Sequence, residues 1–260
     1  MTLPTLIVTT RRMTRMALMA AMISVTVLGA AVTVAGQQDG RVFISVNGGL
    51  QATSTDFADN IVLTEFVEDG DLDASYGIDS GAIIDIGGGV RLPGNLGVGI
   101  GFSRFDTSND ASVDARIPHP FFFDRHRAIA GSAPGLTHTE TAVHLQLRWF
   151  APVPDQIELS VFGGPSFFNV TQGLVTAVGF SQSYPFDEAS FTEASTGEQS
   201  GSAVGYNIGA DVGYFFSRYV GVGALVRFSG ASVDLLSQDE DRISIDLGGL
   251  HASGGLKLRF

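Results

Sequence analysis

Asp85, Glu140, Glu158 and Asp211 fall on the same alternating phase as Arg91, Arg148, Arg227, Lys257 and Arg259, and His144 and His251 join them. Charges of both signs gathered in one enclosed space neutralise one another, and where water reaches them they can gate ions or answer to protons. His251 and Ser253 set an imidazole and a hydroxyl on one face of a strand. Nucleophilic catalysis by that pair needs a third, acidic partner, and no carboxylate follows Ser253, so no catalytic residue is assigned. Gly87-Gly88-Gly89 and the series Gly97, Gly99, Gly101 are followed by no helix, as a phosphate-binding loop requires; strand curvature and close backbone approach account for them.

Two further clusters lie between the alternating segments. Asp56, Asp59, Glu65, Glu68, Asp69, Asp71 and Asp73 occur with no Lys or Arg among them. Clustered carboxylates attract hard cations, but the spacing matches no ordered calcium loop, so a solvated acidic face is expected and no metal is assigned. The run Pro118 to Arg127 sets Phe121, Phe122 and Phe123 beside Arg125 and Arg127. These five residues are candidate surface contacts, toward a lipopolysaccharide phosphate or a protein, unless the rings pack on neighbouring loops.

The composition restricts what can position these groups. The chain has 260 residues, no cysteine, 33 glycines, 16% charged residues and a formal net charge of -12, with a mean hydropathy of +0.23. Absence of cysteine excludes disulfide scaffolds, thiolate metal sites and thiol nucleophiles. The acidic balance excludes nucleic acid as a partner, and the low charge with high apolarity excludes a disordered chain. Arg11, Arg12 and Arg15 precede an uncharged stretch from Met16 to Gly36, with small residues Thr33, Ala35 and Gly36 before Gln37. Residues 1–36 are therefore read as a cleavable signal peptide for export.

From Arg41 onward period-two alternation recurs in eight segments, with apolar residues on one phase and glycine, polar and charged residues on the other. Examples are Val42, Ile44, Val46 against Phe43, Ser45, Asn47, and Leu96, Val98, Ile100, Phe102 against Gly97, Gly99, Gly101, Ser103. Alternation alone does not distinguish a soluble sandwich from a membrane barrel, since both have this period. Three features decide for the barrel. Connections alternate between short turns near 93–95, 151–155 and 217–218 and long segments at about 52–78, 107–138, 172–202 and 230–243, as in outer-membrane barrels. Trp149, Tyr214 and Phe260 on the apolar phase lie beside the short turns, and Phe102, Tyr206 and Phe228 lie toward the long segments, as two aromatic girdles require. The glycine-rich polar phase suits a narrow lumen.

The run Gly205 to Tyr214, then Val220 to Arg227, then Gly248-Gly249-Leu250 through Leu256-Lys257-Leu258-Arg259-Phe260, resembles the small outer-membrane β-barrels of the OmpA transmembrane-domain and opacity-protein type. The likeness covers the chain after the signal peptide. The terminal aromatic preceded by alternate apolar residues resembles the signal such barrels present to their assembly machinery, although Leu258 stands where an aromatic is common. No attached peptidoglycan-binding domain is expected after Phe260, so the cell-wall anchoring role of the family is not expected to carry over. His251-x-Ser253 resembles the His-x-Ser pair of lipid A deacylase barrels, but both residues share the luminal phase here.

The expected fold is all-β, an eight-stranded antiparallel transmembrane up-and-down β-barrel over 37–260 with four long surface loops. The expected function is non-enzymatic, with a side-chain-filled lumen because eight strands enclose little more than their own side chains. It serves envelope integrity or surface interaction; the alternatives are a narrow ion channel and a lipid-modifying enzyme. No cofactor is expected. The expected partners are outer-membrane lipid, lipopolysaccharide, the barrel-assembly machinery and an extracellular ligand that the sequence does not name.

Overall fold

The computed structural model describes residues 41–237 and 242–260; the segment read as a signal peptide lies outside them. The described chain is all-β: β1 (Val42–Ala52), β2 (Thr55–Glu65), β3 (Glu68–Ile78), β4 (Gly81–Arg91), β5 (Leu96–Pro118), β6 (His126–Phe150), β7 (Ile157–Gln182), β8 (Ala189–Phe215), β9 (Val220–Leu236) and β10 (Arg242–Arg259). Eight of them pair antiparallel in the cycle β1-β4-β5-β6-β7-β8-β9-β10 and back to β1, so the ring has no free edge at this level. All eight segments of alternation in the sequence are strands of this ring. Gly94 (φ 81°) and Asn95 (φ 62°) both take the left-handed conformation at the β4–β5 turn, which a tight hairpin requires and Gly and Asn tolerate best.

The stretches expected as long loops are instead largely β-structure. The β2–β3 hairpin prolongs β1 and β4, and β5 to β10 run far past the apolar band. From Phe102 to Pro118, at about 3.3 Å per residue, β5 adds roughly 50 Å of strand. Ladders in this upper wall are incomplete. Pairing of β8 with β9 stops at Tyr206↔Gly230, and that of β1 with β10 at Ala52↔Leu250, whereas β7 stays paired with β8 to Gln182↔Ala189.

What holds the upper wall together is a reversal of chemistry on unchanged faces. In the ring, Ile100 and Phe102 point outward and Gly101 and Ser103 inward. Past that level the outward positions of β5 are Arg104, Asp106, Ser112, Asp114 and Arg116, while Phe105, Val113, Ala115 and Ile117 are buried inside. On β3, Leu72, Ala74, Tyr76 and Ile78 point in and Asp69, Asp71 and Asp73 line the outer face. These residues form one apolar core with Ile61, Val170, Val175, Val233, Leu235 and Ile245. Most of the acidic run is thus the solvated face of a hairpin; Asp59 departs from it, buried on the inner face beside Ile61 and held by Ser237 Oγ, which donates to its carboxylate at 2.7 and 2.9 Å. Among the described residues no group of three or more His, Asp or Glu is arranged to hold a metal.

Tyr76 closes one weak point of this core. Its hydroxyl accepts the Val175 N–H at 2.9 Å, beside a register shift in β7, and its ring stacks on Phe57 at 4.6 Å. Burial, aided by the Asp59 carboxylate, pushes its phenol up to about 12 against the opposing Val175 bond. A raised folded value means that stability is full below the unfolded value near pH 10 and falls as pH rises toward about 12. Tyr76→Phe should cost about 1–3 kcal/mol at neutral pH by stranding the Val175 N–H. It should also remove one phenolate that forms toward pH about 12 from the ultraviolet titration of the folded protein; an unchanged titration curve would refute the assignment.

Candidate functional site

The inward phase of the ring brings the predicted charges together in layers. Lowest, near the short turns, Arg91 pairs with Glu158 and Lys257 with Asp211. Arg148 donates to Gln146 Oε1 at 2.7 and 3.0 Å, lies 4.0 Å from Asp211, and sits over the Phe43 and Phe162 rings at 5.1 and 4.5 Å. Glycines make the room: a Cβ at Gly213 would meet Lys257 Cδ at 2.9 Å, and one at Gly209 would meet Phe162 at 2.6 Å. Large and small residues therefore alternate across the lumen, which is why the polar phase is so rich in glycine. A cavity of about 10 Å³ among Phe43, Arg148, Glu158, Asp211 and Lys257 has room for about one water.

At mid-height Arg227 donates to Asp85 Oδ2 at 2.7 Å and to His251 Nδ1 at 3.0 Å, and His251 Nε2 meets Ser229 Oγ at 3.1 Å. His144 is held between Ser103 Oγ (2.9 Å) and Ser166 Oγ (2.7 Å). The His251-x-Ser253 spacing is not realised as a pair, because both ring nitrogens of His251 are engaged elsewhere and Ser253 Oγ is buried without a hydrogen-bond partner. Highest, Glu140 gathers three elements. It takes hydrogen bonds from Gly248 N–H (3.0 Å) and Gln51 (3.3 Å) and contacts His138 Nε2 at 2.9 Å, beneath the apolar core. Gly248 (φ 89°) and Gly249 (φ 136°) take conformations that side chains rarely adopt, and there β10 passes from the polar lumen to the apolar core.

Arg259 departs from the set. Its guanidinium covers the Phe215 ring at 3.9 Å and donates to the Arg218 and Asp155 carbonyls at the turn end, outside the luminal network. Asn47, Gln51, Gln146, His138 and the serines that complete the hydrogen bonding were not singled out from sequence. Asn47, Gln51 and Gln146 lie on the inward phase and were legible there.

A second cluster forms at the far end of the upper wall. Phe121, Phe122 and Phe123 are exposed, as are Val67 at the β2–β3 turn and Tyr184 at the β7–β8 turn. Three hairpins are tied here. Asp124 N–H donates to Glu68 Oε1 (2.8 Å), His126 Nε2 meets the Asp69 carbonyl (3.0 Å), Arg125 pairs with Asp187 (2.8 Å), and Phe121 meets Phe186 edge-on at 5.5 Å. Arg127 is buried rather than displayed. It donates to the Pro118 carbonyl (2.6 Å), the Phe186 carbonyl (3.2 Å) and Gln182, and burial lowers its guanidinium pKa. Of the five predicted contact residues, the three phenylalanines and Arg125 are at the surface, and Arg127 is a tie beneath it.

No protein-family model matches the chain, and no curated protein matches it. Among solved structures it is similar to Neisserial surface protein A, at 10% identity over 86% of this chain and 100% of the other, with a TM-score of 0.43. It is also similar to the outer membrane protein OprG from Pseudomonas aeruginosa (10% identity, 86% and 97%, TM-score 0.45). A third is the outer membrane protease OmpT from Escherichia coli (12% identity, 85% and 97%, TM-score 0.44). On its own pairing, with an apolar band outside, charges inside and aromatic residues at both margins, the chain is an eight-stranded antiparallel β-barrel of the outer-membrane type.

Proposed function

We propose that this chain is a non-enzymatic bacterial outer-membrane protein whose closed barrel anchors a rigid head, and that it acts by contact at the cell surface through the tip of that head. The observation that carries the reading is the exchange of faces above Phe102. Below it, exposed Ile84, Ile86, Val98, Ile100, Leu147 and Val212 offer lipid an apolar belt; above it, the outer face is acidic and the inside apolar. Such a wall is stable only with lipid around the ring and water around the head. Outer-membrane lipid and the insertion machinery are the partners this requires.

The lumen supports an anchor in preference to a channel. Asp85, Arg148, Asp211, Arg227 and Lys257 are each under 6% exposed and mutually paired. Purified protein in planar bilayers should show no stable conductance; steady single-channel steps would favour the ion channel. Cells displaying the protein should adhere to lipid, glycan or protein-coated surfaces in a manner lost by Phe121→Ser/Phe122→Ser/Phe123→Ser, with unheated and boiled gel migration of the variant unchanged. Equal adhesion by both on every surface would sink the contact reading.

A further inference from the structure

The tip combines three features that a merely capped barrel end does not need. Val67 is 92% exposed, Tyr184 85%, Phe123 77%, Phe121 69% and Phe122 56%, although apolar surface of this extent is ordinarily covered. The backbone beneath them is strained: Phe66 (φ 53°), Val67 (φ 65°), Asp124 (φ 58°) and Phe186 (φ 70°) are all left-handed without being glycine. For a β-branched valine this is a genuine outlier, and such strain persists only where surrounding contacts impose it. At Phe66 and Val67 the two-residue turn between Glu65 and Glu68 imposes it, since a tight hairpin requires positive φ at both central residues, and there a β-branched apolar side chain stands in solvent where Asn or Gly would be favoured.

The third feature is charge. Glu68, Asp69, Asp124 and Asp187 take part in the contacts between the hairpin ends that carry the rings, and Glu65 and Glu188 flank those turns in sequence. Among the described residues of the three tips the arginines and lysines are Arg125, already paired with Asp187, and Arg127, buried below; the imidazoles of His119 and His126 are engaged by Phe121 N–H and the Asp69 carbonyl. Aromatic faces ringed by carboxylates attract cations, and the Arg125 guanidinium 5.6 Å over the Phe122 ring is an internal instance. A quaternary ammonium suits such a surface best, because it has no N–H groups to satisfy and loses little hydration. The tip projects from three hairpin ends, a shape that fits a soft surface. On the outer face of the same head Arg104 and Arg116 are paired with Asp106 and Asp71, and the further carboxylates Asp73, Asp110 and Asp114 leave that face net acidic, which repels anionic lipid.

Resting on the reading of the tip as a contact surface, we infer that it docks on a lipid surface whose outermost layer is the quaternary ammonium of choline headgroups. Phe121, Phe122, Phe123, Tyr184 and Val67 enter the boundary between headgroups and acyl chains, and the acidic rim faces the ammonium layer.

The test uses the full chain in nanodiscs, floated with phosphatidylcholine or phosphatidylglycerol vesicles, with empty nanodiscs as the blank. Loaded discs should float with phosphatidylcholine and at least about tenfold less with phosphatidylglycerol. Phe121→Ser/Phe122→Ser/Phe123→Ser should weaken flotation roughly a hundredfold. Val67→Gly should weaken it about tenfold while relieving backbone strain, so that misfolding cannot explain the loss. Flotation that is absent, indifferent to headgroup, or unchanged by Val67→Gly overturns the inference. If flotation is absent but tip-dependent adhesion of cells persists and is protease-sensitive on the target, the occupant is a protein and only the lipid assignment fails. If adhesion is also absent, the contact reading fails with it.

Discussion

Arg227→Met should destabilise the barrel by about 3–5 kcal/mol, because it leaves the Asp85 carboxylate buried without its counter-ion. The pair is 2.7 Å apart, with side chains 1% and 4% exposed, so water cannot replace the lost partner. Asp85→Asn should be damaging for the same reason, since it strands a guanidinium whose other contacts include the His251 ring. Asp85→Asn/Arg227→Met removes both charges and should cost less than the worse single change. Urea unfolding in detergent micelles measures all three. Strictly additive losses would mean that the two groups are separately solvated, and would reopen the case for a water-filled channel. Lys257 and Asp211 should behave alike, for they too are paired and buried.

Leu72→Ala should cost about 2–5 kcal/mol, and the loss should fall on the head while the ring survives. Leu72 is fully buried in the apolar core, opposite Ile61 on one side and Ala115 on the other. Its cavity cannot be filled by neighbours held in two ladders. Limited proteolysis should therefore cut the variant within the upper hairpins, and the remaining ring should still migrate differently when unheated and boiled. The ring keeps its own closed set of pairings below that level. Cleavage or unfolding of ring and head together at one denaturant concentration would show a single cooperative unit and refute the division into two cores.

The eight ring strands, their faces and the short turns were legible in the sequence, because a strand between lipid and a narrow lumen alternates strictly. Val98, Ile100 and Phe102 against Gly97, Gly99 and Gly101 leave no second reading of the phase. The upper wall was less legible, though part of its signal was present. Val113, Ala115 and Ile117 alternate with Ser112, Asp114 and Arg116 as clearly as any ring strand, but on the opposite phase relative to lipid. The upper part of β8 offers no such pattern, being Ser, Thr, Gly and Glu from Ser195 to Gly201 apart from Gln199. It is a strand because β7 pairs with it throughout, and pairing partners lie outside local sequence.

The sequence by itself determined which residues enter the lumen, since side-chain direction along a strand follows from a period of two. It did not determine who meets whom there. Phase alone does not reveal that Lys257 pairs with Asp211 and Glu158 with Arg91. Strand tilt and stagger decide that, shifting each strand along its neighbour by an amount fixed only when the ring closes. The same holds at the tip. Three phenylalanines in a row were visible in the sequence, but their meeting with Val67 and Tyr184 needed three hairpins, far apart along the chain, to end at one height.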